Sequence, residues 1–209
     1  MRLHNFCAKI LCMASTRPEE PHRQPPVWLD AHQIKVLAHP LRARLLGELR
    51  INGPATATTL ARTLSTNTGA TSYHLRQLAD AGMVVDEPGG TGRQRLWKAA
   101  HQSHGWWGSD FAGDPDTEAA LSWLAGAQMR LMSERAEAWQ RVRWSSPREW
   151  QDAARTSDYV VHLSAARLNA LNSELAAVVR RYQAEPDTGS AGRKVLLLLA
   201  AIPHVEEGS

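Results

Sequence analysis

Cysteine is nearly missing from this chain of 209 residues: there are two, Cys7 and Cys12, both close to the N-terminus. No disulfide framework can brace the remainder, and the thiols of a structural zinc cluster are absent from it, which fits a reducing cytoplasm. Long apolar runs are missing too. The segment VLLLLAAI at 195–202 is far shorter than the roughly 20 residues that cross a bilayer, so no membrane span is expected. Lysine is scarce, with 4 Lys against 20 Arg in a basic total of 24. That bias reads as the mark of a GC-rich genome and is weak evidence for phosphate binding. A third absence is local: no acidic residue lies between Asn67 and Ala79.

At 43% hydrophobic and 22% charged residues the composition is that of an ordinary globular protein. The opening MRLHNFCAKILCMAS resembles a signal peptide, but Lys9 interrupts its apolar stretch. It reads as a disordered leader, with translation starting nearer Met13. Residues 1–27 are polar and Pro-rich and read as a tail. Residues 28–100 look like a compact domain, 101–115 like a Gly-, Ser- and Trp-rich linker, and 116–209 like a second region. Charge divides along the same lines. Residues 28–100 hold nine Lys and Arg against five Asp and Glu (+4), whereas 101–209 hold eleven against fourteen (−3). The first domain is therefore the one suited to a polyanion.

Within it, Asp30–Leu37 predicts a short helix broken at His39-Pro40. Pro40 suits the first turn of a second helix that runs to about Ile51, with Leu41, Leu45, Leu46 and Leu49 inward, and Asn52-Gly53-Pro54 stops it. Thr56 is a plausible N-cap for a third helix with Leu60, Ala61 and Leu64 on its apolar face. After the turn Ser65-Thr66, Asn67 caps a fourth helix from Thr68 to Ala81, closed by Gly82. Met83–Glu87 and Gln94–Ala99 then flank a Pro/Gly-rich turn, the pattern of a β-hairpin. GGTGRQR lies in that turn, between two strands, and is not a phosphate loop.

The order helix, tight turn, helix, hairpin is that of a winged helix-turn-helix. A major groove about 12 Å wide admits one α-helix, and the helix at 68–81 is the one presented to it. Its buried stripe is Thr71, Leu75 and Leu78. Thr68, Gly69, Ser72, Tyr73 and Arg76 then face outward, with small residues for close approach, hydroxyls for hydrogen bonds and Arg76 for phosphate or guanine. Arg93 and Arg95 on the wing at 88–95, and Arg42, Arg44 and Arg62 on the flanking helices, are the expected electrostatic contacts with double-stranded DNA. No nucleophile–base pair marks an enzyme.

The stretches VLAHPLRARLLGEL, LARTLSTNTGATSYHLRQL and AGMVVDEPGGTGRQRLWKA together resemble the winged helix-turn-helix of the arsenic-repressor (ArsR/SmtB-like) regulators. The resemblance covers about a third of the chain and implies a bacterial, dimeric, sequence-specific DNA-binding regulator. It does not bring a metal site. TATTLAR stands where many metal-sensing relatives carry Cys-x-Cys, and 116–144 contains no His. Neither His101-x-x-His104 with Asp110 and Asp114, nor Cys7 and Cys12 with His4, is read as a metal site, and no cofactor is expected.

Residues 116–144 predict one long helix whose seam, including Leu124, Leu131, Ala138 and Val142, would pair with a second copy. Ser146-Pro147 would start a short helix. DYVVHL (158–163) and RKVLLLLAAIP (193–203) read as strands around an amphipathic helix at 164–183 capped by Ser164, with Leu168, Leu171, Leu175, Val178 and Val179 inward, a β-α-β module. Six of the eight Trp lie at 106–150; Trp106, Trp107, Trp123 and Trp139 are candidates to line a small-molecule effector pocket, against the plainer role of filling an interface. The expected fold is mainly α with a small β component (α+β). The expected function is a homodimeric DNA-binding repressor, with a ligand- or protein-interaction module carrying a degenerate helix-turn-helix as the alternative.

Overall fold

A helix leaves its first N–H groups without partners, and in this protein side chains placed just ahead of six helices supply acceptors. The computed structural model describes residues 27–89, 94–185, 192–197 and 199–205. Helix α1 (Ala31–Leu37) opens with a reciprocal box: Gln33 N donates to Asp30 Oδ1 at 2.8 Å and Asp30 N to Gln33 Oε1 at 3.1 Å. Helix α2 (Pro40–Asn52) has Pro40 in its first turn and His39 as its cap, with Leu41 N donating to His39 Nδ1 at 3.2 Å. Thr56 Oγ1 accepts from Thr59 N at 3.2 Å at the start of α3 (Ala57–Thr63). Asn67 Oδ1 accepts from Ala70 N at 2.7 Å at the start of α4 (Thr68–Asp80).

Helices α3 and α4 end alike. Thr66 N reaches back to Ala61 O and Ser65 N to Arg62 O; Met83 N reaches Leu78 O and Gly82 N reaches Ala79 O. Both are the paired closure that needs a left-handed residue just past the helix. Gly82 takes it with φ of 71°, whereas Ser65 takes it with φ of 52° despite its side chain. Ser65 thereby makes the sharp turn between α3 and α4.

The expected hairpin forms. β3 (Val84–Glu87) runs antiparallel to β4 (Leu96–Ala99), with Val84 opposite Ala99 and Glu87 opposite Leu96. A short β2 (Ala55–Thr56) adds to the other edge of β4, giving the order β2-β4-β3. Upstream, β1 (Val27–Trp28) pairs in parallel with β5 (His104–Gly105). Here the chain passes so closely that a Cβ on Gly105 would lie 2.9 Å from Cζ3 of Trp28.

The chain divides into two compact units, 1–128 and 129–209, the division falling inside α5 (Pro115–Val142). The core of the first unit collects Ile34 and Leu37 from α1, Leu45, Leu46 and Leu49 from α2, Leu60 from α3, Leu75 and Leu78 from α4, Val84 and Trp97 from the sheet, and Leu124 from α5. Residues 101–115 contribute to it: Trp106 and Phe111 pack against this cluster. Asp114 fixes the start of α5, accepting from Thr117 N at 3.2 Å, from Thr117 Oγ1 at 2.5 Å and from Lys35 Nζ of α1 at 3.1 Å. The Thr117 hydroxyl first, then Lys35, holds the Asp114 carboxyl down at about 2.

The second unit departs from expectation. Helix α7 (Ala165–Ala184) forms, with Ser164 Oγ accepting from Arg167 N at 3.4 Å. Neither 158–163 nor the described part of 193–203 is a strand, so the β-α-β arrangement does not form. A strand exists through its ladder, and among the described residues neither β-prone run is laddered to another segment. The apolar stripe of α7 is likewise not enclosed: no residue of α7 is buried. The short α6 (Arg148–Ala153) begins after Pro147 with no side-chain cap; Ser146 Oγ instead donates to Val142 O at 3.0 Å, closing the end of α5. The architecture remains α+β, helices predominating over a small sheet.

Two substitutions test these assignments by urea unfolding of the full chain. Leu75→Ala should cost about 2–5 kcal/mol through the cavity it leaves. Gly82→Ala, which meets no neighbouring atom, should cost about 1 kcal/mol from its left-handed backbone alone.

Candidate nucleic-acid interface

The stripe that holds α4 to the body of the first unit decides what the helix presents outward. Thr71, Leu75 and Leu78 are each fully enclosed, at 0% exposure. The Thr71 hydroxyl is satisfied inside its own helix, donating to Asn67 O at 2.9 Å, so this polar atom is buried without loss of a hydrogen bond. With the stripe inward, Thr68, Gly69, Tyr73 and Arg76 are exposed and Ser72 is half-buried. The C-terminal end of α4 is tied to α1 by Gln33 Nε2 donating to Ala81 O at 3.0 Å. The polar residues expected on one face therefore do share it, with no acidic side chain before Asp80.

Gly69 has ordinary helical backbone, and a Cβ there would stand 3.4 Å from the capping Asn67 Oδ1. Its smallness keeps the first turn of α4 low. Beside that turn, His39 and His74 lie ring on ring, centroids 4.4 Å apart and tilted by 35°, and Tyr73 meets the edge of His74 at 5.2 Å. Among the described residues His74 Nδ1 is buried with no hydrogen-bond partner, and the ring packs between His39 and Tyr73. Burial, then His39 and Arg42, lowers the His74 pKa; burial, then Arg42, lowers that of His39.

The five basic residues expected around the helix are not equivalent. Arg44 and Arg62 are exposed. Arg42 is turned toward its own fold, its Nε donating to Val36 O, and burial lowers its pKa. Arg95 is on the wing with its guanidinium 5.8 Å from the Trp97 ring centroid and 3.5 Å from Asp86 Oδ2. Both partners of that pair are more than half exposed, so it is a weak tether. Arg93 lies outside the described residues. The wing also carries an ion pair that the sequence reading missed, Lys98 to Glu87 at 3.2 Å; it follows from the register, which sets Val85 opposite Lys98 and Glu87 one step away opposite Leu96.

A family model described as a helix-turn-helix domain matches residues 37–87. The chain carries a helix-turn-helix DNA-binding domain. No curated protein matches the chain. The matched span runs from the end of α1 through β3, and so contains both helices of the motif and the first strand of the wing. The presence of this domain makes the protein a DNA-binding regulator. Among the described residues no helix is long and apolar enough to cross a membrane.

The remaining candidate residues lie elsewhere. Trp106 and Trp123 pack against the core of the helix-turn-helix unit, and Trp107 stacks on Trp28 with centroids 4.8 Å apart. Trp139 belongs to the second unit. His104 is engaged by Arg50, whose Nη1 stands 2.6 Å from His104 Nδ1 while its Nε donates to His101 O. Burial, with the Arg50 charge next, depresses His104 to about 3, and burial brings Arg50 down to about 10. Of the seam proposed for pairing, Leu124 is buried in its own unit, Leu131 is half-buried, and Ala138 and Val142 are exposed.

The histidines predict how stability follows pH. His39, His74 and His104 all have folded pKa values below the unfolded value. The unfolded chain therefore binds protons first as pH falls, and the stability from neutral histidine is complete above about pH 6.5 and lost below it. Urea midpoints should fall from about pH 7 to about pH 5. His104→Asn, which keeps an acceptor for Arg50 but removes the titrating ring, should flatten that slope.

Proposed function

We propose that the protein is a homodimeric transcriptional repressor of the arsenic-repressor-like (ArsR/SmtB-like) kind, bacterial and without a metal-sensing site. One observation carries this reading: an exposed, acid-free first half of α4 built from Thr68, Gly69, Ser72, Tyr73 and Arg76 over a fully buried stripe. In the complex, α4 enters the major groove and Gly69 lets its first turn approach the base edges. Ser72 and Tyr73 hydrogen-bond bases or phosphates, and Arg76 pairs with guanine or phosphate. Arg95 on the wing reaches the neighbouring minor groove or backbone, helped by Arg93. Arg44 and Arg62 add attraction to the flanking backbone, while Arg42, committed to Val36 O, adds least. Two copies joined along α5 through Leu131, Ala138 and Val142 present two recognition helices to an inverted repeat whose half-sites lie about one DNA turn apart.

Fluorescence anisotropy with fragments of the gene's own promoter tests the assignment. Ser72→Ala, Tyr73→Ala and Arg76→Ala should each weaken specific binding by about 1–3 kcal/mol, roughly 5- to 150-fold. Arg95→Ala should lower affinity for all sequences and reduce the salt slope by about 1. If the three α4 variants bind like wild type, the recognition helix is wrongly assigned. Salt-insensitive binding would favour an interaction module with a degenerate motif.

A further inference from the structure

The second unit has no core of its own. Among its described residues none is buried, although it contains a 20-residue amphipathic helix and two of the most β-prone stretches in the chain. Those stretches stand open. Tyr159, Val160 and Val161 in the first, and Val195, Leu196, Leu197, Leu199, Ile202 and Val205 in the second, are all exposed, Val160 at 99%. Leu175, Val178 and Tyr182 on α7 are exposed as well.

Within one chain such a unit has little buried apolar surface to stabilise it. Ordering each residue costs about 1–2 kcal/mol, and buried apolar area is the main term that offsets it. The nine apolar residues named in the two stretches are 48–99% exposed, and a standard protein–protein interface draws on about 800 Å² of each partner. Neither stretch is a strand among the described residues, and a strand-prone run outside a ladder is a template for pairing with another chain.

We propose that 158–163 and the described residues of 193–205 pair as strands between two copies of this chain, so that the second unit acquires its core only in the dimer. The proposal rests on the homodimer reading above and adds a surface that α5 does not supply. A second copy is the occupant that fits. A region without a core needs its partner at the chain's own concentration, and an identical chain always meets that condition. Each copy offers both stretches, so a two-fold arrangement satisfies them reciprocally. Asp158 opens one stretch and Arg193 and Lys194 open the other, so a parallel pairing of the two sets opposite charges side by side. The apolar side chains of α7 then cover one face of the joint sheet.

Sedimentation of the full chain tests this. Wild type should be a dimer at micromolar concentration. The double variant Val160→Pro with Leu197→Pro removes two ladder donors and should weaken dimerisation about 100-fold or more. Val160→Thr with Leu197→Thr keeps strand propensity and should weaken it about 10-fold or less. Unmodified protein gives a second readout, since its strand signal in far-ultraviolet circular dichroism should fall on dilution through the dissociation constant. If wild type is dimeric but the proline pair dissociates no more readily, strand pairing is overturned and the α5 dimer stands. If the proline and threonine pairs dissociate equally, or the strand signal ignores dilution, the ladder is overturned too. A wild type that stays monomeric at about 100 μM, well above the range of a stable dimer, overturns both readings and assigns the open surface to a different protein.

Discussion

The outward face of α4 depends on how that helix is seated. Thr71, Leu75 and Leu78 leave no surface exposed, and together they fix the rotation of the helix about its own axis. Successive residues of an α-helix are about 100° apart, so a rotation by one position would turn Leu75 to solvent and Arg76 inward. Burying a leucine contributes about 1.5–3 kcal/mol, and α4 commits two of them together with a threonine whose hydroxyl is already bonded. The face that carries Ser72, Tyr73 and Arg76 is thus a consequence of packing. The cap at Asn67 sets where the helix begins, and the Gln33–Ala81 bond holds where it ends.

Charge in the helix-turn-helix domain is spent unevenly. Arg50 is drawn inward to His101 and His104, Arg42 to Val36, and Arg95 shares Asp86. Arg42 ties α2 to α1 and Arg50 ties α2 to residues 101–104, while the Arg95 pair stays within the wing. The basic surplus of the domain therefore overstates the charge that is open to a polyanion. Arg44, Arg62, Arg76 and Arg95 are exposed, Arg95 with Asp86 beside it.

Much of the first unit was legible in the sequence because its signals are local. Asp30, Thr56 and Asn67 announce helix starts, Gly82 announces an end, and the spacing of Leu75 and Leu78 gives the inward face. The hairpin was legible from its turn residues. The two-residue strands β1, β2 and β5 were not, since a strand that short has no periodicity and exists only through its partner. The partner of Arg42 was hidden for the same reason: helical position sets it near α4, but only the fold shows that its Nε donates to Val36 O of α1. In the second unit, Val160 and Leu197 have the composition of strand residues, yet composition does not say which chain holds the neighbouring strand.

One close contact reaches beyond its own surroundings. At Gly105 a side chain has no room against the ring of Trp28, and that ring also stacks on Trp107. Positions 28 and 105 are far apart along the chain but share one volume. Neither can evolve alone: a smaller residue at 28 would open space for a larger one at 105, while a larger residue at 105 beside tryptophan has none. Among related sequences the two positions should therefore change together or not at all, leaving a record of the β1–β5 pairing that no single sequence can carry.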